Sequence, residues 1–112
     1  MQKINDARYD AGKYEKRWPG QGDPKVEKVR KCIRHRESRG NYKVVDKGHR
    51  WFGAYQFDPI TSNTAAKMMK RPDLVGVFAN KWTRKEQDAA FYLVYNRGKG
   101  KKHFYHPEKK CF

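Results

Sequence analysis

One carboxylate in this chain sits where acid chemistry could be done. Glu37 ends a stretch with helical spacing and is followed by Ser38-Arg39-Gly40-Asn41-Tyr42. Further along comes the aromatic segment Trp51-Phe52-Gly53-Ala54-Tyr55-Gln56-Phe57. A carboxyl group at the C-terminal end of a helix faces the negative end of the helix dipole. Aromatic walls that exclude water disfavour the charged form of such a group further. A carboxylic acid that keeps its proton near neutral pH is what protonation of the leaving oxygen in glycosidic cleavage requires. Taken alone, the same segment also fits a solvated charge at a helix end. Asp46 and Asp58 are the carboxylates that could serve beside Glu37.

The elements that must position these residues are legible in outline. Asp23-Pro24 starts a helix, with Asp as N-cap and Pro in the first turn. Val26, Val29, Cys32, Ile33 and Arg36 follow at helical spacing, and the apolar members predict a buried stripe. Gly40-Asn41 reads as the stop. From 40 to 57, strand-like residues flank the turn-like Asp46-Lys47-Gly48, which predicts a short irregular hairpin or a long loop. Asp58-Pro59 opens a helix running to about Lys70, and Pro72 breaks it. Asp73 to Lys81 reads as a third helix with Leu74, Val77 and Phe78 on one face. Thr83-Arg84-Lys85-Glu86 matches a capping box. The helix after it carries Ala90, Leu93 and Val94 on one face and ends at Gly98. Residues 1–22 form a basic N-terminal extension closing in a turn at Trp18-Pro19-Gly20, and Lys99 to Phe112 a basic, aromatic tail. The expected class is α+β, mainly α, in one domain over 23–112 with a hairpin or irregular loop beside a cleft.

Composition narrows the partners. The 112 residues suit a single small core, and aromatics at 14% must supply much of its burial. Lys and Arg number 27 against 12 acids, a formal charge of +15. Such a chain associates with polyanions: nucleic acid, an anionic membrane face, or an envelope polymer. The densest basic group is Arg97, Lys99, Lys101, Lys102, Lys109 and Lys110, which a solvated tail would also explain. Cys32 and Cys111 suit a disulfide that pins the C-terminus, or two separate thiols. A disulfide implies an oxidising compartment. The two cysteines and His35, His49, His103 and His106 lack metal-ligand spacing, so no metal and no cofactor is expected. No apolar run reaches membrane-helix length, and the N-terminus has no signal-peptide h-region.

The order Glu-Ser-x-Gly-Asn-aromatic, then Gly-x-x-Gln-Phe, resembles the lysozyme-like superfamily. Within it the chain is most similar to the resuscitation-promoting factor and transglycosylase-like domains of actinobacteria and their phages. Those domains run Glu-Ser-Gly-Gly-Asn-Trp and Tyr-Tyr-Gly-Gly-Leu-Gln-Phe, against Glu37 to Tyr42 and Trp51 to Phe57 here. Arg84-Lys85-Glu86-Gln87 matches the family's Arg-Glu-Glu-Gln turn, and the family pairs a closing cysteine with one just before its Glu. The resemblance covers about residues 24 to 112. Arg39 and Tyr42 depart from the usual Gly and Trp, and Cys32 lies five positions before Glu37 rather than next to it. Soluble lytic transglycosylases share a related layout.

The resemblance implies cleavage of peptidoglycan glycan strands, by hydrolysis or lytic transglycosylation, with Glu37 as general acid and then base. It implies that Gln56 bonds the N-acetyl group or orders the active-site loop. Trp51, Phe52 and Tyr55 are the aromatics that could stack on sugar, though alternate members must point into the core, and Asn41 and Tyr42 would shape the cleft wall. Ser38 is expected to make backbone contacts. Asp46 is placed where some lysozymes carry a second acid, and is equally a turn residue. Partners would be glycan strands and anionic wall polymers, met by a monomer that is secreted, wall-associated or phage-delivered, with no specific nucleic acid. Alternatives are an inactive wall-binding module, a basic nucleic-acid binder, and a membrane-active basic protein.

Overall fold

Asp23 opens the first helix, α1 (Pro24–Ser38), and its carboxylate accepts from the Lys25 and Val26 amides. The structure, a computed structural model, describes residues 17–97 and 101–112, the side chains of Arg97 and Lys101 excepted. Residues 1–16 of the expected extension, the Gly98 stop and Lys99 of the basic group lie outside the described residues. Residues 17–22 form the expected turn, closed by Gln21 N–H to Trp18 O at 3.0 Å. They pack on the domain: the Gly22 amide bonds Glu27 at 2.8 Å, and Asn96 Nδ2 bonds Pro19 O at 2.9 Å.

α1 ends where Arg39 turns left-handed at φ 54° and donates its amide to His35 O. Gly40 follows at φ 83°, a conformation glycine adopts without cost. The fully buried positions of α1 are not the valines of the expected stripe. They are Ile33 and the charged pair Glu27 and Arg30, with Val26 and Val29 only partly buried against the core. Charges tolerate such burial only when paired and hydrogen-bonded, and these are. Arg30 Nε meets Glu27 Oε1 at 2.7 Å, and Arg30 Nη1 bonds Tyr55 OH at 3.0 Å and lies 3.6 Å from Asp88 Oδ1. Tyr92 OH donates to Glu27 Oε2 at 2.6 Å. Tyr42 OH donates to Asp88 Oδ1 at 2.7 Å, and Tyr55 OH donates to the same oxygen. Burial opposes the Arg30 charge, yet the surrounding Tyr55 and Asp88 oxygens more than offset it and its guanidinium holds its proton more tightly than usual. Burial pushes the Asp88 carboxyl above the usual aspartate value, against the pull of Arg30.

Residues 40–57 form an irregular loop. Its β-structure is limited to two isolated antiparallel bridges, Val45 with Phe52 and Phe52 with Phe57. Phe52 and Phe57 exchange both backbone bonds at 3.0 Å and close the turn Gly53–Gln56. The loop is fastened to the rest by one side chain. Gln87 Oε1 accepts from Ala54 N at 2.8 Å, and its Nε2 donates to Tyr42 O at 2.9 Å and Trp82 O at 3.1 Å. Gly53, at φ 82°, lies so close to the Gln87 amide that no side chain fits there.

Asp58 caps α2 (Pro59–Met68), taking the Thr61 amide at 2.6 Å. The third helix expected from Asp73 to Lys81 does not form. Two single 3₁₀ turns, Pro72–Leu74 and Ala79–Lys81, replace it. Between them Gly76 takes φ 84° and gives its amide to Asn63 Oδ1 at 2.8 Å, which interrupts any helical ladder. The capping box is present: Thr83 N bonds Glu86 Oε1 at 2.8 Å and Glu86 N bonds Thr83 Oγ1 at 3.2 Å. It opens α3 (Arg84–Arg97), whose positions 87–95 are all buried. Burial on every side, rather than on the one face expected, makes α3 the central helix. α2 and the short α4 (Lys101–Phe104) pack against it. Aromatic rings fill the space between: Phe91 lies 5.1 Å from Tyr55 and 5.0 Å from Phe104. The result is a mainly helical domain with a radius of gyration of 13.1 Å, as expected for a compact chain of this length.

The cysteines are joined. Cys32 and Cys111 form a disulfide across 79 residues, with Cα atoms 5.6 Å apart. Closing a loop of that length stabilises by about 4 kcal/mol in the chain-entropy account. Among the described residues, no helix is long and apolar enough to cross a membrane.

Candidate active site

The last turn of α1, the 51–56 loop, the start of α2 and α4 meet around one open groove. Arg36, Glu37, Trp51, Tyr55, Gln56, Asp58, His103 and Phe104 line it. Its volume of about 230 Å³ falls below the roughly 300–1,000 Å³ of enclosing small-molecule pockets. An opening of that size does not enclose a drug-sized molecule.

Glu37 is in the groove because α1 runs as far as Ser38 before the left-handed turn at Arg39. Its side chain is 29% exposed. Arg36 Nε donates to Glu37 Oε2 at 2.6 Å. Glu37 Oε1 makes no hydrogen bond among the described residues. The walls are partly aromatic, as expected, but the nearest partner of the carboxylate is the Arg36 guanidinium.

Three of the expected substrate residues join Glu37. Trp51 is 40% exposed, with the Arg50 guanidinium 4.3 Å from its ring centroid. Gln56 is half-buried at φ 52°, and its Nε2 donates to Gly53 O at 2.9 Å, so its amide orders the loop. Tyr55 lines the groove but is 2% exposed. Its hydroxyl is committed to Arg30 and Asp88, and burial raises its pKa well above the usual tyrosine value. Tyr55 is thus a floor under the groove and not a free stacking surface.

The other expected residues lie elsewhere. Asn41 and Tyr42 line a second groove with Lys43, Trp82 and Arg84. Tyr42 is 5% exposed, and Asn41 Oδ1 takes the Lys43 amide at 2.9 Å. Asp46 is not among the residues lining the Glu37 groove. Its Oδ1 accepts the Arg50 and Trp51 amides at 2.6 and 2.8 Å, and Oδ2 the Gly48 amide at 3.1 Å. The Trp51 amide leads these bonds in holding its carboxyl below the usual aspartate value. This is the geometry of a turn anchor. The carboxylate that does share the groove is Asp58, with Oδ1 engaged in capping α2. Ser38 Oγ donates to Arg34 O at 3.0 Å and accepts the Gly40 amide at 3.2 Å, the backbone contacts expected of it.

Arg36 and His103 are groove residues that sequence reasoning did not assign to the site, and Asp58, named there as a possible second carboxylate, joins them. The one available signal was the spacing of Cys32 and Arg36, four apart and so on one helical face. Among the described residues, no group of three His, Cys, Asp or Glu is placed to hold a metal ion. The groove brings together the Glu37 carboxylate, an exposed indole and a mixed set of charges. No protein-family model, curated protein or solved structure matches the chain.

Proposed function

We propose that this chain cleaves the glycan strands of bacterial peptidoglycan on a lysozyme-like scaffold, with Glu37 as general acid and then general base. The bond is the β-1,4 linkage from N-acetylmuramic acid to N-acetylglucosamine. The observation that carries this reading is the state of Glu37: a carboxylate in an open groove, one oxygen tethered to Arg36 and the other without a hydrogen bond among the described residues, beside an exposed Trp51.

The chemistry balances with that one group. Protonated Glu37 gives its proton to the glycosidic oxygen, the C1–O bond breaks, and the leaving sugar departs as an alcohol. Positive charge develops at C1 of the muramyl residue. Attack by water, or by the muramyl 6-hydroxyl, then returns a proton to the Glu37 carboxylate. Water leaves a reducing end, and the hydroxyl leaves a 1,6-anhydro end. Trp51 supplies an apolar face for a sugar ring. Gln56 holds the turn beneath it and keeps its carbonyl oxygen for an N-acetyl N–H. The +15 charge concentrates the enzyme on anionic wall polymers in a salt-dependent way. The disulfide suits an oxidising site outside the reducing cytoplasm.

One observation favours a second reading, a wall-binding module without turnover: in the free groove Glu37 is engaged by Arg36. Mass spectrometry of peptidoglycan incubated with the parent and with Glu37→Gln separates the two. Cleavage by the parent releases muropeptides, and an anhydro end is lighter by one water than a hydrolysed one. Glu37→Gln should lower release by at least about a hundredfold, the low end for loss of a general acid. No release by the parent rejects the enzymatic reading, and undiminished release by the variant rejects the role of Glu37.

A further inference from the structure

We infer that Arg36 is a positioning residue for Glu37, and that the C-terminal segment closed by the disulfide holds Arg36 in place. The inference rests on Glu37 being the proton donor.

Cys32 and Arg36 lie four residues apart on α1 and so on one face. The disulfide brings Cys111 to that face. Two residues before Cys111, the Lys109 carbonyl accepts from Arg36 Nη1 at 3.2 Å. The same guanidinium donates from Nε to Glu37 Oε2 at 2.6 Å, and the Arg36 side chain is only 10% exposed. A guanidinium is a rigid planar fork. Anchoring one edge to a backbone carbonyl fixes the direction of the other.

The segment that carries the Lys109 carbonyl is itself shaped. His106 Nδ1 accepts the Glu108 and Lys109 amides at 3.2 and 3.1 Å. Phe112 packs with its ring centroid 6.0 Å from that of Tyr95 on α3. The chain of contacts runs from the covalent bond to the Lys109 carbonyl, to Arg36, to Glu37.

This arrangement divides the two carboxylate oxygens by role. Oε2 is held, and Oε1 is the oxygen left for a proton and a sugar oxygen. A carboxylic acid protonated on Oε1 still accepts at Oε2, so the Arg36 bond persists in both protonation states. The other charged and titratable groups lining the groove are Tyr55, Asp58 and His103.

The experiment measures kcat and KM on soluble peptidoglycan fragments for Arg36→Met, Arg36→Lys, Cys111→Ser and the Arg36→Met/Cys111→Ser double variant. Each is assayed well below its melting midpoint. Arg36→Met should lower kcat roughly tenfold to a hundredfold, the scale of a misplaced catalytic group, with KM changed less than about twofold. Arg36→Lys, which keeps the charge without the fork, should recover only part of the loss. Cys111→Ser should lower kcat in the parent and add nothing in the Arg36→Met background. Inserting one glycine between Lys110 and Cys111 keeps the disulfide but displaces the Lys109 carbonyl. It should lower kcat in the parent and add nothing in the Arg36→Met background, and so supplies the tail test where Cys111→Ser fails to fold. An active parent, an inactive Glu37→Gln and an unaltered Arg36→Met overturn this inference alone, as do Arg36→Met and tail effects that multiply. An inactive parent overturns the glycan-cleavage reading and this inference with it.

Discussion

Two arginines of α1 hold carboxylates in opposite ways. Arg30 has a side chain with no exposure and is ringed by Glu27, Asp88, Tyr55 and Tyr92. Its carboxylate partners are tied in turn: Glu27 by Tyr92 and Gly22, Asp88 by Tyr42 and Tyr55. Arg36, near the end of the same helix, holds one oxygen of Glu37 in an open groove and leaves the other without a hydrogen bond among the described residues. The same pair of residue types thus makes a locked core in one place and an accessible acid in the other. What separates them is the number of partners, which falls where the helix reaches the surface. A buried cluster of paired charges specifies structure, because removing its cation strands the carboxylates around it; among the described residues its one gap is Asp88 Oδ2, buried without a hydrogen bond. An accessible carboxylate can meet a molecule that enters the groove.

The sharpest way to break that contrast is to truncate both sites. Arg30→Ala leaves Glu27 and Asp88 without their buried cation and should cost roughly 3–5 kcal/mol in urea denaturation. Glu37→Gln should change stability by less than about 1 kcal/mol, as for solvent-accessible pairs, while removing activity. Equal stability losses at the two sites would remove the distinction. A middle-sized effect is expected at Gln87, which ties the loop to α3. Gln87→Leu unpairs the Ala54 amide and the Tyr42 and Trp82 carbonyls; with the loop able to relax toward water, the total cost should be ~1–3 kcal/mol, the scale of one buried group left without a partner. Faster hydrogen exchange at the Ala54 amide, with reduced turnover from a loosened Trp51–Gln56 turn, would report it. Unchanged exchange there would show that other contacts hold the loop.

The smallest effect concerns pH and has opposite signs in the two environments. The Asp46 carboxyl is held below the usual aspartate value of 3.8. Its contribution is therefore complete above that value and is lost as pH falls through the lower, folded value. Asp88 is raised above 3.8 by burial, so the folded state takes up its proton first. Stability contributed through Asp88 therefore declines as pH rises from 3.8 through its folded value. Melting midpoints followed against pH should fall less steeply below 3.8 in Asp46→Asn than in the parent. In Asp88→Asn the component above 3.8 should vanish. Identical acid profiles for Asp46→Asn and the parent would mean that the turn bonds do not depend on the charge.

Local signals were legible wherever local chemistry decides. Asp23, Asp58 and Thr83 cap helices as their neighbours imply, because N-cap bonds span only two or three residues. The helical reading of 73–81 failed because Gly76 and Asn63, thirteen residues apart, form a bond that spacing within one segment does not reveal. Burial of Glu27 and Arg30 was hidden for a similar reason. Charged residues on a helix read as a solvated face unless their partners, here on α3 and the loop, are known. Within the site, Glu37, Trp51 and Gln56 share the groove as their order suggested. Asn41, Tyr42 and Asp46 do not, since each is drawn away by a bond to backbone or core.

By itself, the order of residues determined where helices begin, that the chain is strongly basic, and that an acid closes the first helix ahead of an aromatic turn. These follow from short-range hydrogen bonding and composition, which act without knowledge of the fold. Only tertiary structure decided which carboxylates would be buried beside a cation and which left accessible. It joined Cys32 to Cys111, laid the tail along α1, and set Arg36 between Lys109 and Glu37. Satisfying a charge depends on what arrives from distant parts of the chain, and packing alone determines that.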